Sequence, residues 1–284
     1  MKTIILARTA GFCFGVTRAV DTVYREAEQE TGPVYTYGPI IHNEEVVRDL
    51  ETRGVHVLPD RAALEALKEG TVIIRSHGVG RDIYELCKNN GLKVVDATCP
   101  FVKKIHRIVE AENAKGNRVV IVGDPHHPEV EGIRGWGRED TAVIESAEDL
   151  VRQVPDRAES LSIVSQTTYK LSKFNKIVAD CINLGYHIFC FNTICNATQE
   201  RQSEAQEIAS DVDAMIIIGG RSSSNTRKLA EICSHECKKT FFIQTAADLI
   251  PGCLARCDRI GITAGASTPK HIIEEVQTIV GSEF

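Results

Sequence analysis

The chain has 284 residues, of which 43% are hydrophobic and 25% are charged, and its net charge is −6. This composition is typical of a folded globular protein and excludes disorder, collagen and coiled coil as whole-chain descriptions. The acidic balance argues against a general nucleic-acid-binding protein. No apolar run in the sequence is long enough to span a membrane, and Arg8 interrupts the N-terminal run before a signal-peptide core is complete. We therefore expect a cytoplasmic protein that binds neither nucleic acid nor membrane.

A short apolar strand, a polar turn and a helix form the pattern that repeats along the chain. We predict strands at 3–7, 34–37, 71–75, 93–96, 118–122, 161–165, 187–191, 214–218 and 259–263. Predicted helices lie at 17–29, 44–53 and 81–89, and two more end near residues 115 and 210. Continuous Val/Ile strands that alternate with helices indicate mainly parallel sheets buried on both faces, which is the α/β class. Ligands of such sheets bind beyond the carboxyl ends of the strands, where the polar turns fall.

Three of these turns contain a cysteine, at intervals of about one third of the chain: Cys13, Cys99 and Cys195. The spacing predicts three small α/β domains, at 1–96, 97–192 and 193–284, each of which presents one cysteine. Three thiolates can hold an iron–sulfur cluster and leave one iron open for substrate. The alternative is that all three are buried small residues, as free cysteines often are.

Four later cysteines form two C-x3-C pairs: Cys233, Cys237, Cys253 and Cys257. Their spacing lies within the loose range of zinc sites, and redox pairing is a further alternative. Core packing is favoured, because the first pair lies at i, i+4 on a predicted helix beside apolar residues. We predict that Cys87, Cys181 and Cys190 are also buried.

An ordered set of motifs spans almost the whole chain. The motifs are Gly11-Phe12-Cys13-x-Gly15-Val16-x-Arg18-Ala19, His42-Asn43, Ser76-His77-Gly78-Val79, Asp96-Ala97-Thr98-Cys99-Pro100, His127-Pro128-Glu129-Val130-x-Gly132, Gln166-Thr167-Thr168, Cys195-x-Ala197-Thr198, Ser223-Ser224-Asn225 and Thr263-Ala264-Gly265-Ala266-Ser267. The set resembles the LytB/IspH family, the 4-hydroxy-3-methylbut-2-enyl diphosphate reductases. The C-x3-C pairs are not part of the family's pattern.

The resemblance implies three α/β domains in a pseudo-threefold trefoil around a central [4Fe–4S] cluster. Cys13, Cys99 and Cys195 match the family's cluster ligands. The implied reaction is the last step of the non-mevalonate isoprenoid pathway. An allylic hydroxyl is removed with two electrons and protons, which yields isopentenyl diphosphate and dimethylallyl diphosphate.

The resemblance also implies a proton donor, Glu129, and a residue that relays protons or positions the substrate hydroxyl, Thr167. Burial raises the pKa of a carboxyl and keeps it partly protonated near neutral pH, as a general acid requires. A solvated carboxylate is the alternative for Glu129, and an ordinary helix N-cap is the alternative for Thr167.

The diphosphate needs local hydrogen-bond donors in an acidic protein. Ser223, Ser224 and Asn225 precede a predicted helix that begins near Thr226, and Ser267 precedes Pro269, a favoured first helical residue. Three histidines in strand-end turns complete the predicted substrate-binding set: His42, His77 and His127. A lone histidine of this kind is more often a satisfied polar residue, but three in matching turns favour an anion site.

Two other functions remain open at this stage. A quinolinate-synthase-like enzyme also uses one cysteine from each of three domains, and a zinc- or cluster-binding regulatory protein would use the late C-x3-C pairs. The phosphate-binding turns favour the reductase, and we find no basic recognition helix. Because the sequence lacks a strand–GxGxxG–helix fingerprint for a nicotinamide or flavin cofactor, we expect an external electron donor, a ferredoxin or a flavodoxin.

Overall fold

The strands of this chain are short and apolar and form three four-stranded sheets. A computed structural model describes residues 2–250 and 252–282; Met1, Pro251, Glu283 and Phe284 lie outside this description. The strands are β1 (Thr3–Leu6), β2 (Val34–Tyr37), β3 (Val55–Leu58), β4 (Thr71–Ile74), β5 (Lys93–Asp96), β6 (Arg118–Val122), β7 (Ala142–Ile144), β8 (Ser160–Ser165), β9 (His187–Cys190), β10 (Ala214–Ile218), β11 (Thr240–Ile243) and β12 (Arg259–Ala264). The helices are α1 (Phe14–Gln29), α2 (Glu44–Thr52), α3 (Arg61–Ala66), α4 (Arg81–Asn89), α5 (Pro100–Ala114), α6 (Pro128–Arg134), α7 (Ala147–Gln153), α8 (Leu171–Asn183), α9 (Asn196–Ala209), α10 (Ser224–Glu236) and α11 (Lys270–Ser282), with a short 3-10 helix at Ala246–Asp248.

The three sheets share one strand order. Their orders are β3-β2-β4-β5, β7-β6-β8-β9 and β11-β10-β12-β1, and the paired strands are parallel throughout the described chain. The predicted α/β class with three parallel sheets is therefore confirmed. In the last sheet β1 takes the place that β5 and β9 hold in the others. The predicted domain boundaries of 1–96, 97–192 and 193–284 stay a prediction, but strand pairing joins β1 to the last third of the chain.

All nine predicted strands are present, and the three that the sequence analysis missed occupy one equivalent position. They are β3, β7 and β11, each at the same edge of its sheet. The strands at the opposite edge, β1, β5 and β9, were predicted, so edge position by itself does not explain the difference. β7 has only 3 residues, and β3 carries an exposed histidine, His56.

The chain divides into two compact units. One comprises Met1–Thr17, Ile41–Asp49 and Asn196–Phe284, and the other comprises Arg18–Ile40 and Leu50–Cys195. The first contains the sheet β11-β10-β12-β1, and the second contains the other two sheets.

Each face of the sheet in the first unit is covered by helices. Ile216 and Ile218 of β10 pack with Val276 of α11, whereas Met215 and Ile217 pack with residues of α9 and α10. Side chains alternate between the two faces of a strand, so one apolar run serves both cores. The sheet around β6 in the second unit follows the same rule, with α7 and α8 on one face and α5 and α6 on the other.

Glycines allow a close backbone contact in the second unit. A Cβ on Gly135, at the end of α6, would lie 2.5 Å from the Cα of Gly80. A Cβ on Gly132 would lie 3.2 Å from the carbonyl carbon of Gly78. Only residues without a Cβ permit this approach. It brings the turn that carries His77 against α6.

Most of the cysteines predicted to lie in the core are buried there. Cys87, Cys181, Cys233, Cys237 and Cys257 are buried, and Cys253 is half-buried. The prediction for Cys190 was wrong: this residue is exposed because β9 is an edge strand with an exposed end. Burial raises the pKa of Cys233 to about 12, which keeps that thiol protonated.

The helices within residues 2–250 and 252–282 have 16 residues at most. None of them has both the length and the apolar composition that a bilayer span requires.

The glycine contact can be tested with Gly135→Ala. We expect a loss of about 1–3 kcal/mol in the free energy of unfolding, because the new methyl group must displace backbone rather than a flexible side chain. Urea denaturation measures the change. Gly32→Ala is the matched control, since no atom lies within 4 Å of the added Cβ; equal stability of both variants would contradict the close packing.

Candidate active site

The same backbone hydrogen bond holds a cysteine in each of the three sheets. The N–H groups of Cys13, Cys99 and Cys195 donate to carbonyl oxygens two residues beyond β12, β4 and β8, respectively. The acceptors are Ala266 at 3.3 Å, Ser76 at 2.9 Å and Thr167 at 3.0 Å. Each acceptor follows the third strand in its sheet's order, and each cysteine follows the fourth. The three cysteines are therefore structurally equivalent within their own sheets.

Each of these cysteines also stands directly before a long helix. Cys13 precedes α1, Cys99 precedes α5 and Cys195 precedes α9. None of the three forms a disulfide, and all three are half-buried. A helix N-terminus stabilises negative charge, so each position suits an anionic sulfur ligand.

In the second unit, Thr167 holds both carboxyl oxygens of Glu129. The N–H of Thr167 donates to Oε1 at 2.6 Å, and its hydroxyl donates to Oε2 at 2.7 Å. Glu129 is 2% exposed. It lies on α6, whereas Thr167 lies in the turn after β8, so the pair joins two neighbouring strand ends. The solvated-carboxylate interpretation is excluded by this burial.

Burial changes the acidity of this carboxyl. Loss of solvation raises the pKa of Glu129 to about 7, and the two hydrogen bonds from Thr167 oppose the rise in part. A carboxyl with this pKa is partly protonated at neutral pH, which suits a general acid.

His127 and His77 lie beside this pair. The N–H of Glu129 donates to Nδ1 of His127 at 3.1 Å, which makes His127 the N-cap of α6. In a neutral ring the proton then resides on Nε2, which is a donor. The rings of His77 and His127 meet edge to face, with centroids 5.5 Å apart. His126 is exposed.

In the first unit, α10 presents polar residues at its N-terminus. The helix begins at Ser224, two residues earlier than predicted. Ser223 is its N-cap, and its Oγ accepts from the N–H of Thr226 at 3.3 Å. The hydroxyl proton of Ser223 therefore stays available to donate. Asn225 is 4% exposed, and neither its Oδ1 nor its Nδ2 has a hydrogen-bond partner within the described chain.

Ser267 and His42 lie close to this helix start. The hydroxyl of Ser267 donates to the carbonyl oxygen of His42 at 3.1 Å. A Cβ on Gly220 would lie 2.7 Å from that same carbonyl oxygen, so the turn after β10 also reaches it. α11 begins at Lys270, one residue after Pro269. The predicted phosphate-binding residues of this unit thus form one group of strand-end turns.

A buried arginine that no sequence motif singled out supports this group. Arg201 of α9 is 3% exposed, and its Nη1 donates to the carbonyl oxygens of Gly11 and Ala264, both at 2.9 Å. One guanidinium therefore joins the segment before Cys13 to the end of β12. Helical spacing is the one sequence signal that could have indicated that Arg201 is buried. Arg201 and Ala205 lie one turn apart, and both are on the buried face of α9.

Comparisons with known proteins agree on one family. A family model described as LytB protein matches residues 4–280. The 4-hydroxy-3-methylbut-2-enyl diphosphate reductase of Alkaliphilus oremlandii is 46% identical over 275 residues, which cover 96% of this chain and 97% of that protein. The reductase of the same name from Geobacter sulfurreducens is 46% identical over 273 residues, with 96% and 95% covered.

Two solved structures have the same fold. One is (E)-4-hydroxy-3-methyl-but-2-enyl diphosphate reductase, described as the terminal enzyme of the non-mevalonate pathway. It is 42% identical, with a TM-score of 0.72, and 99% of each chain is covered. The other is the E-1-hydroxy-2-methyl-but-2-enyl-4-diphosphate reductase from Plasmodium falciparum. It is 29% identical, with a TM-score of 0.90 and coverage of 99% of this chain and 87% of that one.

The fold and the site define an α/β protein of three like sheets, each of which presents a cysteine at the start of a helix. Within this class the match to the family model covers nearly the whole sequence. The chain belongs to the LytB family.

The raised pKa of Glu129 predicts a pH dependence of stability. Between about pH 4.5 and about pH 7 the folded chain keeps the proton that the unfolded chain has released. The unfolding free energy contributed by Glu129 therefore falls as pH rises, by up to about 1 kcal/mol per pH unit. Glu129→Gln removes this dependence, so its stability relative to the parent should rise across the same range in urea denaturation.

The control for this measurement is Glu131→Gln. Glu131 is exposed on the same helix, so its variant should follow the parent's pH profile. A parallel profile for Glu129→Gln as well would show that Glu129 does not hold the proton.

Proposed function

We propose that the chain catalyses the reductive removal of the allylic hydroxyl from 4-hydroxy-3-methylbut-2-enyl diphosphate, which yields isopentenyl diphosphate and dimethylallyl diphosphate. The chain is an oxidoreductase of the non-mevalonate isoprenoid pathway, and it acts at the last step. The observation that carries the proposal is the buried pair of Glu129 and Thr167, since removal of a hydroxyl as water needs a proton donor near neutral pH.

The three equivalent cysteines fit an iron–sulfur cluster by their donor chemistry. We propose that Cys13, Cys99 and Cys195 hold one [4Fe–4S] cluster per chain. Their partial exposure and their positions at helix starts support this role. A cluster with three protein ligands supplies electrons and Lewis-acid chemistry at its fourth iron. The electrons come from an external donor, a ferredoxin or a flavodoxin.

The residues around the start of α10 bind the diphosphate. The N–H groups of the first turn and the hydroxyls of Ser223 and Ser224 donate to phosphate oxygens. Asn225 supports this role most strongly, because a buried amide without partners is costly unless a ligand satisfies it. Ser267 lies next to this helix start and offers a further hydroxyl.

The histidines extend the proposed donor set. His42 lies in the first unit with Ser267, and its main chain accepts from that hydroxyl. His127 offers Nε2 as a donor, because its Nδ1 accepts from the helix. His77 lies against His127. We assign all three to the diphosphate and the leaving hydroxyl.

Glu129 delivers the proton, and Thr167 holds and relays it. When Glu129 is protonated at Oε2, the Oε2–H group donates to the hydroxyl oxygen of Thr167, whose own proton is then free to reach the substrate hydroxyl. The N–H of Thr167 keeps Oε1 in place throughout. Burial excludes water that would otherwise take up the proton.

The proposed ligand set is tested by single Cys→Ser variants at residues 13, 99 and 195. Each should lower the iron content and abolish turnover in an anaerobic assay with the hydroxylated diphosphate and a chemical reductant. Cys233→Ser is the control and should retain both, because Cys233 lies in an apolar core. Loss of iron in the control but not in the three variants would overturn the assignment.

Binding and proton transfer can be separated with Glu129→Gln and Asn225→Ala. Turnover per cluster of Glu129→Gln should fall by about a hundredfold or more while affinity for the diphosphate products is kept. Affinity of Asn225→Ala for the same products should fall about tenfold or more, whereas its unfolding free energy should rise because an unsatisfied buried amide is removed. Normal turnover per cluster in Glu129→Gln would contradict its role as proton donor.

A further inference from the structure

The first two turns of α5 carry an unusual charge pattern. Residues 100–107 include Lys103, Lys104 and Arg107 and no acidic residue, in a chain whose net charge is −6. A helix start ordinarily favours acidic side chains, and α5 has none in its first turn. Helix stability therefore does not account for the pattern.

Two of these cations face solvent without a partner. Lys103 pairs with Asp96 at 2.6 Å. Lys104 and Arg107 are exposed, and neither side chain forms an ion pair or a hydrogen bond with any residue in 2–250 or 252–282. Unlike the charge of Lys103, their charges are therefore not neutralised by an acidic side chain in this part of the chain.

An exposed aromatic residue adjoins them. Phe101 is 43% exposed, although burial of a phenylalanine is worth about 1.5–3 kcal/mol. Phe101, Lys104 and Arg107 follow one another at intervals of three, so they are neighbours on the helix surface. We call these three residues the α5 stripe. An apolar anchor flanked by cations is typical of a surface that binds an acidic protein.

The stripe lies on the helix that starts at Cys99, two residues before Phe101. Each turnover of the proposed reaction takes up two electrons and two protons, releases the hydroxyl as water and forms one C–H bond. Two reduced one-electron carriers are therefore oxidised per turnover. Electron transfer weakens steeply with distance, so a carrier must bind close to a cluster ligand.

We propose that the α5 stripe is the docking site of a small acidic protein that carries one electron at a time. The proposal rests on the proposed reductase function. Complexes of this kind are small and transient, and their association rates depend on charge complementarity. Phe101 supplies the apolar contact, and Lys104 and Arg107 supply the attraction.

The test is the double variant Lys104→Glu/Arg107→Glu, assayed with a reduced bacterial ferredoxin. At low ionic strength kcat/KM for ferredoxin should fall about tenfold or more, and the difference from the parent should shrink as salt is added. Isothermal titration of oxidised ferredoxin into the cluster-loaded protein should show the same loss of affinity. With a small chemical reductant, kcat and the KM for the diphosphate should be unchanged.

The control is Lys238→Glu/Arg256→Glu. This variant changes the net charge by the same amount as the α5 variant, at two exposed residues that are far from α5 in the sequence. It should keep the parent's ferredoxin kinetics. Equal losses in both double variants, or unchanged ferredoxin affinity in the α5 variant, would overturn the proposal. A raised KM for the diphosphate in the α5 variant would also overturn it, because the stripe would then attract substrate. Absence of turnover by the parent with the chemical reductant would instead contradict the reductase function.

Discussion

One backbone hydrogen bond, repeated in three sheets, fixes the positions of the three cysteines of the candidate site. In each case a cysteine N–H donates to the turn two residues beyond the third strand of its sheet. The sulfur is thereby positioned by a rigid parallel sheet rather than by a flexible loop. The same turns contain His77, Thr167 and Ser267, at the acceptor residue or directly after it. A single contact therefore fixes a thiol and a polar side chain together.

The two compact units hold different kinds of polar group, and each carries a cost in stability. In one unit a buried carboxyl, Glu129, has a raised pKa because solvent no longer stabilises its charge. In the other, Asn225 is buried without hydrogen-bond partners in the described chain. An unsatisfied buried amide such as that of Asn225 costs on the order of 1–3 kcal/mol relative to a satisfied one. Natural proteins tolerate such groups where a ligand or a proton transfer requires them.

Helix α5 combines a start directly after a cysteine, a buried face that packs against a sheet, and an exposed face. Its N-terminus follows Cys99, and its apolar face packs Ile105 and Val109 against the sheet around β6. His106 lies on its buried side and stacks on Trp136, with ring centroids 5.1 Å apart. Burial lowers the pKa of His106 to about 4, so this ring is neutral and acts as a packing residue. The remaining face of the helix is exposed.

The sequence by itself determined the six central strands, the edge strands β1, β5 and β9, the parallel α/β class and the order of the polar turns. A strand buried on both faces needs a continuous apolar run, and such a run is visible locally in the sequence. The motif order also identified the family and named Glu129, Thr167 and the three cysteines. Only the tertiary structure decided that β1 pairs with β12, that β3, β7 and β11 complete the sheets, and that Arg201 joins Gly11 to Ala264. It also decided that Thr167 holds both oxygens of a carboxyl 38 residues away and that burial raises the pKa of that carboxyl. These features depend on contacts between segments far apart in the chain and on the exclusion of water. Long-range contacts and water exclusion do not produce a periodic pattern of residues in the sequence.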